Sequence, residues 1–318
     1  MNNQIKLLAV VGPTASGKTA LSIKLAQRLG GEILCCDSMQ IYRRMDVGTA
    51  KPTAEEREDV VHRLFDWIEP DAPYSCADYV RDAMKEAETV SKNGKLPILC
   101  GGTGLYLDSL LRGGNFEETV TDPALREELH AYAETHGNAA LHARLRDVDP
   151  ESADAIHENN VRRVVRALEI YMTTGMTKTE ADERSRRFQS PYDATVIGLR
   201  FDDRELLYRR IDTRVDRMLE DGLLEETERL CREGVFERNS TAAQAIGYKE
   251  LLGYLCGECT LAESVELLKR STRRYAKRQM TWFSAKDYVK WITLDRNGEM
   301  RSAEELLDEA LRLIKNAE

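Results

Sequence analysis

An apolar, β-branched run at residues 7–11 leads directly into Gly12-Pro13-Thr14-Ala15-Ser16-Gly17-Lys18-Thr19, and a helical pattern follows over residues 20–29. Strand, glycine-bounded loop and helix in that order constrain the chain to a P-loop α/β unit. The mechanics follow from the residue types. Gly12 and Gly17 let the backbone curl so that successive N–H groups and the helix N-terminus face an anion. Lys18 is placed to reach phosphate oxygens, and Thr19 is a candidate ligand for Mg²⁺. The loop therefore predicts a site for a diphosphate or polyphosphate, whatever molecule carries it.

Further short apolar runs at 32–36, 96–100, 195–199 and 289–294 are bounded by Gly, Pro or Asp and alternate with helical patterns. Buried parallel strands in βαβ units read this way, and such sheets bind ligands at the carboxyl ends of their strands. Three loops should then meet: 12–19, 37–42 and 101–106. Residues 116–190 carry no strand pattern but clear helical periodicity, which predicts an all-helical insertion acting as a lid or second lobe. After Phe201 the pattern is again helical, over 204–221, 223–232 and 261–286. The expected fold class is α/β: a P-loop NTPase-like parallel sheet core (1–115, completed by 191–318), a helical insertion or lid domain (116–190), and a helical C-terminal region.

No apolar run approaches the roughly 20 residues needed to cross a bilayer, and the opening MNNQIKLLAVVG lacks the layout of a signal peptide. Seven scattered cysteines suggest no disulfide framework, and the Cys256/Cys259 pair lacks the further Cys or His that zinc would need, since no histidine lies beyond His157. A cytoplasmic protein without membrane contact is expected. The net charge of −9 conceals segregation: Lys269, Arg270, Arg273, Arg274, Lys277 and Arg278 fall within ten residues that contain no acid. With Tyr275, Trp282 and Phe283 they form the mixture of cations and aromatics typical of RNA-binding surfaces, although a solvated helix face reads the same. Arg162, Arg163 and Arg166 make a second basic patch.

Asp37 directly follows the second strand pattern, where a carboxylate serves as metal ligand, general base or helix N-cap. Gly101, Gly102, Thr103 and Gly104 follow the third and suggest a close-approach loop. The acid that normally closes an apolar strand in P-loop hydrolases is missing, because residues 96–100 run into Gly-Gly and 195–199 into Arg-Phe. Hydrolysis of a nucleotide loses ground accordingly. Arg210, Arg214 and Arg217 recur on one helical face, as a solvated charge ladder or, for Arg214 among Ile211, Val215 and Met218, as an inward phosphate ligand.

GPTASGKT (12–19), DSMQIYRRMDVGTAKP (37–52), GGTGLYLDSLL (101–111), VRRVVRALEIY (161–171), QAIGYKE (244–250) and YAKRQMTWF (275–283) together resemble the bacterial tRNA dimethylallyltransferases over nearly the whole chain. The resemblance implies transfer of a prenyl group from dimethylallyl diphosphate to N6 of adenosine 37 in a tRNA anticodon stem-loop, by a Mg²⁺-dependent monomer. By the same resemblance, Gly12 to Thr19 hold the diphosphate with Thr19 on the metal, Asp37 is the general base, and Lys18 and Arg214 stabilise the departing diphosphate. It further implies tRNA contacts at Asp37, Ser38, Met39, Gln40, Thr103, Arg126, Arg162, Arg163, Val164, Val165, Arg166, Gln244, Ala245, Ile246, Gly247, Tyr248 and Lys249. The Cys/His extension of eukaryotic relatives has no counterpart here, so the bacterial form is expected. The rival readings are a P-loop kinase of the shikimate or nucleoside-monophosphate type, an adenylate isopentenyltransferase, and a non-catalytic RNA-binding module.

Overall fold

The computed structural model describes residues 4–113, 122–186, 190–239 and 241–316. In chain order the elements are β1 (Ile5–Val11), α1 (Lys18–Leu29), β2 (Gly31–Cys35), β3 (His62–Arg63), α2 (Cys76–Lys92), β4 (Leu96–Cys100), α3 (Gly104–Leu111), α4 (Pro123–His136), α5 (Asn138–Val148), α6 (Pro150–Ala155), α7 (Val161–Thr174), α8 (Lys178–Arg186), β5 (Tyr192–Arg200), α9 (Arg204–Glu220), α10 (Leu223–Arg232), α11 (Val235–Arg238), α12 (Lys249–Leu255), α13 (Leu261–Ser284), β6 (Val289–Thr293), β7 (Asp295–Arg296), β8 (Glu299–Met300) and α14 (Ala303–Lys315). The chain forms two compact units, Met1–Leu111 with Pro191–Glu318, and Arg112–Ser190. The boundary expected at 115/116 lies outside the described residues.

The first unit is built on a six-stranded sheet of order β3-β2-β4-β1-β5-β6 in which every pairing is parallel. Central β1 shows why the sequence reads as continuously apolar: Leu7, Ala9 and Val11 face one buried layer while Leu8 and Val10 face the other. One layer contains Leu21, Ile23 and Leu25 of α1 with Leu306 and Ala310 of α14. The opposite layer takes side chains from α2, α3, α10, α12 and α13, including Tyr79, Leu107, Leu230, Leu251 and Phe283. The five strands expected from the sequence are all present. The sequence pattern did not reveal β3, a two-residue edge strand, or helices α2 and α14; the β7–β8 hairpin, turning at Asn297-Gly298 with φ of 56° and 80°, also lay beyond it.

The second unit is all-helical among the described residues, with a core that includes Leu129, Leu141, Leu145, Val164 and Leu168. Glu169 is fully buried there and accepts hydrogen bonds from the Asp122 amide (2.9 Å), Arg126 Nε (2.8 Å) and Arg166 (2.5 Å). Two cations and an amide offset its desolvation. Among the described residues no helix is long and apolar enough to cross a membrane.

One buried carboxylate shapes the region where the loops meet. Glu226 on α10 accepts from the amides of Asp46 (3.1 Å), Val47 (3.2 Å) and Gly48 (3.0 Å) and from the Tyr248 hydroxyl (2.7 Å). It fixes the 46–48 loop, and Gln40 continues the brace by donating to the carbonyls of Thr49 (2.9 Å) and Ala50 (3.1 Å). Removing the acceptor strands buried donors, each of which costs the desolvation it would otherwise recover. Glu226→Ala should therefore lower the unfolding free energy by about 3 kcal/mol in urea denaturation, with Glu226→Gln intermediate. A loss under about 1 kcal/mol for the alanine variant would show that water replaces the carboxylate without penalty.

Candidate active site

The P-loop bends where its glycines permit. Gly12 has φ of 142°, and a β-carbon there would stand 2.7 Å from the Leu199 carbonyl oxygen, so β1 can run this close to β5 only with glycine. Ala15 also lies in the left-handed region, at φ 61°, at a cost of about 1 kcal/mol. Arg210 of α9 holds it by donating to its carbonyl at 3.0 Å. Next to it, Arg214 donates to Thr14 Oγ1 (3.1 Å), Lys18 Nζ to the Pro13 carbonyl (2.7 Å), and the Thr14 amide to Gln279 Oε1 (2.9 Å). Gln279 Nε2 in turn donates to the Gly102 carbonyl at 3.1 Å, so this buried amide ties the P-loop to the loop after β4.

These groups open onto a cavity of about 270 Å³ at the carboxyl ends of the strands. Thr14, Lys18 and Thr19 line one wall and the 37–40 and 48–50 segments another; α9 contributes Ile211, Arg214, Val215 and Met218, and α13 contributes Leu268, Thr272, Tyr275, Arg278 and Gln279. Gln244, Ala245, Ile246 and Lys249 complete it. Of the three loops expected to converge, the first two line the cavity directly, and the third does so through Gly101.

Asp37 is the one carboxylate among the described lining residues, against four cations, Lys18, Arg214, Lys249 and Arg278. Its Oδ1 accepts from the amides of Met39 (2.9 Å) and Gln40 (3.4 Å), a local turn rather than the start of a helix, which leaves Oδ2 for the cavity. Burial lowers the Lys18 ammonium to about 8, the nearby Arg214 adding to the effect and Cys100 and Asp37 opposing it. Burial likewise lowers Arg214, while Asp37 pulls it upward. Burial raises the Tyr275 hydroxyl, with the Asp37 charge adding to the shift. Two desolvated cations facing a cavity form a receptor for a multiply charged anion.

Other residues singled out from the sequence divide by environment. Thr103 Oγ1 accepts the Ser38 amide at 3.0 Å and so braces the Asp37 turn. Gln244 is exposed, Ile246 and Lys249 are half-buried, and Gly247, at φ 114°, packs a would-be β-carbon 2.8 Å from the Gly48 carbonyl. Tyr248 is buried on Glu226, so its hydroxyl is unavailable to a ligand. In the helical unit Arg162 and Arg163 are exposed and Arg126 and Arg166 flank Glu169. Val164 and Val165 hold their side chains in that unit's core, on the buried face of an amphipathic helix. The cationic stretch also splits, since Lys269 pairs with Asp216 (2.6 Å) and Arg273 with Asp212 (2.5 Å), whereas Arg270, Arg274, Lys277 and Arg278 stay exposed. Arg217 is exposed, unlike Arg210 and Arg214.

Sequence reasoning passed over Gln279 and Glu226. The signal for Gln279 was its place on the stripe 268, 272, 275, 279, one face of α13, which the run of cations in between obscured.

A family model described as IPP transferase matches residues 40–286, and one described as isopentenyl transferase matches residues 5–67. The chain belongs to the IPP transferase family. Within this family, the tRNA dimethylallyltransferase of Bacillus velezensis is 49% identical over 293 residues, 92% of either chain. The crystal structure of a full-length tRNA isopentenylpyrophosphate transferase from Bacillus halodurans is similar over 99% of this chain and 98% of its own, with TM-score 0.71 and 42% identity. A eukaryotic dimethylallyltransferase acting on tRNA matches 98% of this chain and 80% of its own, with TM-score 0.81 and 28% identity.

Gln279 offers a test of where the anion lies. Gln279→Glu would set a carboxylate against the Thr14 amide at the edge of the cradle, and its repulsion of a bound anion is worth up to several kcal/mol in a partly buried site. Pyrophosphate should then bind at least about tenfold more weakly by titration calorimetry. A change of less than about threefold would place the anion elsewhere.

Proposed function

We propose that this protein transfers the dimethylallyl group of dimethylallyl diphosphate to the exocyclic N6 of adenosine 37 in a tRNA anticodon loop. The observation that carries the reading is the single cavity in which a cationic, amide-lined cradle stands across from one carboxylate, Asp37. N6 attacks the allylic C1 of the donor. The C1–O bond breaks with its electron pair leaving on the diphosphate, and the proton lost from N6 passes to Asp37 Oδ2. Lys18, Arg214 and the P-loop amides meet the charge that grows on the leaving oxygen, where preorganised donors lower a barrier most. Adenosine must leave the loop stack to reach the cavity, at a cost of a few kcal/mol that flanking contacts offset.

The tRNA contacts of this reading fall to Ser38, Met39, Gln40 and Thr103 around the Asp37 turn, to Gln244, Ile246 and Lys249, and to the exposed cations of α13. Arg162 and Arg163, with Arg126 and Arg166, offer the helical unit's basic face. A tRNA substrate is in keeping with a cytoplasmic protein. The residues also suit Mg²⁺: the ion prefers hard oxygen ligands and shares them with phosphate, Thr19 lines the cavity, and Ser16 Oγ of the same loop is buried without a partner. Held by Thr19, the ion would neutralise part of the charge on the diphosphate.

Incubating an anticodon stem-loop with dimethylallyl diphosphate and Mg²⁺ should add one prenyl unit, seen by mass spectrometry. Asp37→Ala should cut turnover about a hundredfold or more, the usual weight of a general base, with donor KM nearly unchanged. Near-normal turnover in that variant would remove Asp37 from the role.

Lys18 gives the donor a pH dependence. Burial lowers its ammonium to about 8, and a bound diphosphate favours the charged form, so binding takes up a proton once the pH passes that value. Affinity should be full below about 8 and weaken about tenfold between pH 7 and pH 9, with Lys18→Arg removing the slope. A donor Kd constant across that range would exclude titration of Lys18.

A further inference from the structure

The cavity has a polar end and a hydrocarbon end, and the two long helices that line it set the distance between them. On α9, Arg210 bonds the Ala15 carbonyl, and Arg214, one turn on, bonds Thr14 Oγ1. Met218 is the next residue on that stripe, one further turn or roughly 6 Å along the axis from Arg214. It lines the cavity half-buried. The partner helix α13 runs antiparallel, because Arg273 bonds Asp212 while Lys269 bonds Asp216. Leu268 therefore lies level with the Met218 turn, and Gln279 lies at the P-loop end. Leu268 is 1% exposed. Between them, Thr272 donates its hydroxyl to the Leu268 carbonyl at 2.8 Å, so its one donor is spent within the helix.

We infer that Met218 and Leu268 set the upper limit on the donor's chain length. The inference rests on the transferase reading above. With the diphosphate between Lys18 and Arg214, the prenyl tail has about one helical turn of apolar wall before it meets these two side chains, close to the extended length of a five-carbon group. A ten-carbon tail would have to displace Leu268 from a close-packed layer, which a core does not yield cheaply. Met218 is the more adaptable of the pair, so truncating it opens the end with the least risk to the fold.

The test compares kcat/KM for dimethylallyl and geranyl diphosphate on one anticodon stem-loop, in the wild type and in Met218→Ala, Leu268→Ala and Met218→Trp. The wild type should prefer the five-carbon donor. Met218→Ala should narrow that preference at least tenfold, through faster geranyl transfer, and Met218→Trp should raise the KM for dimethylallyl diphosphate. Leu268→Ala serves as the second opening if its urea transition shows it folded. An unchanged preference in Met218→Ala, or a wild type that takes both donors equally, would overturn the inference while leaving the transferase reading intact. A wild type that transfers neither would overturn both.

Discussion

Lys18 and Arg214 are charged groups drawn out of water into one cavity, and their mutual repulsion there is only partly offset, by Asp37 on the cavity wall and, for Arg214, by Glu56 as well. The rest of the site depends on that imbalance. Burial alone disfavours both cations, which is why both are shifted downward, and the missing counter-charge is the free energy an incoming anion recovers. Within the protein the cradle's donors have internal partners: Lys18 on Pro13, Arg214 on Thr14, and the Thr14 amide on Gln279. The arrangement is preorganised, because these partners are neutral oxygens that a diphosphate outcompetes.

The scaffold spends its other charges so as to leave that imbalance in place. Asp212 and Asp216 lie on the same helix as Arg214, yet they pair outward with Arg273 and Lys269 of α13. Those pairs clamp α9 against α13 and keep two acids away from the cradle. Glu226, the buried acid nearest in role, is saturated by three amides and the Tyr248 hydroxyl, so it organises the 46–48 loop and contributes a wall rather than a base. Asp37 is thereby distinguished by position: among the described residues it is the carboxylate that lines the cavity, and the turn it caps takes up its Oδ1.

Much of this was legible in the sequence wherever it depends on local pattern. The P-loop, the five longer strands and the lone Asp37 after β2 follow from periodicity and turn chemistry within a dozen residues. Contacts across the chain were not legible. Gln279 meets Thr14 over 265 positions and Glu226 meets Gly48 over 178, and neither residue type announces a partner at that range. The two-residue strand β3 escaped because His62 and Arg63 carry no apolar pattern at all; pairing with β2 alone makes them a strand. Charge runs misled for the opposite reason. The cations at 269–278 read as one surface, whereas a helix distributes them around its circumference, so that two are paired and four are exposed.

The same cradle in a P-loop hydrolase holds the group under attack, since the nucleophile strikes phosphorus and an acid at the end of a neighbouring strand organises metal and water. Here the neighbouring strand β4 ends at Cys100 and passes into Gly101 and Gly102, whose carbonyl receives Gln279. A side-chain amide fills the place where an acid would organise water, so attack on phosphorus has no base to support it from that side. The carboxylate of Asp37, the base of the proposed reaction, sits instead at the end of β2, beside a cavity also lined by hydrocarbon from Val215, Met218 and Leu268. A base facing an apolar chamber beyond a diphosphate cradle suits a reaction at carbon, in which the phosphate is what leaves.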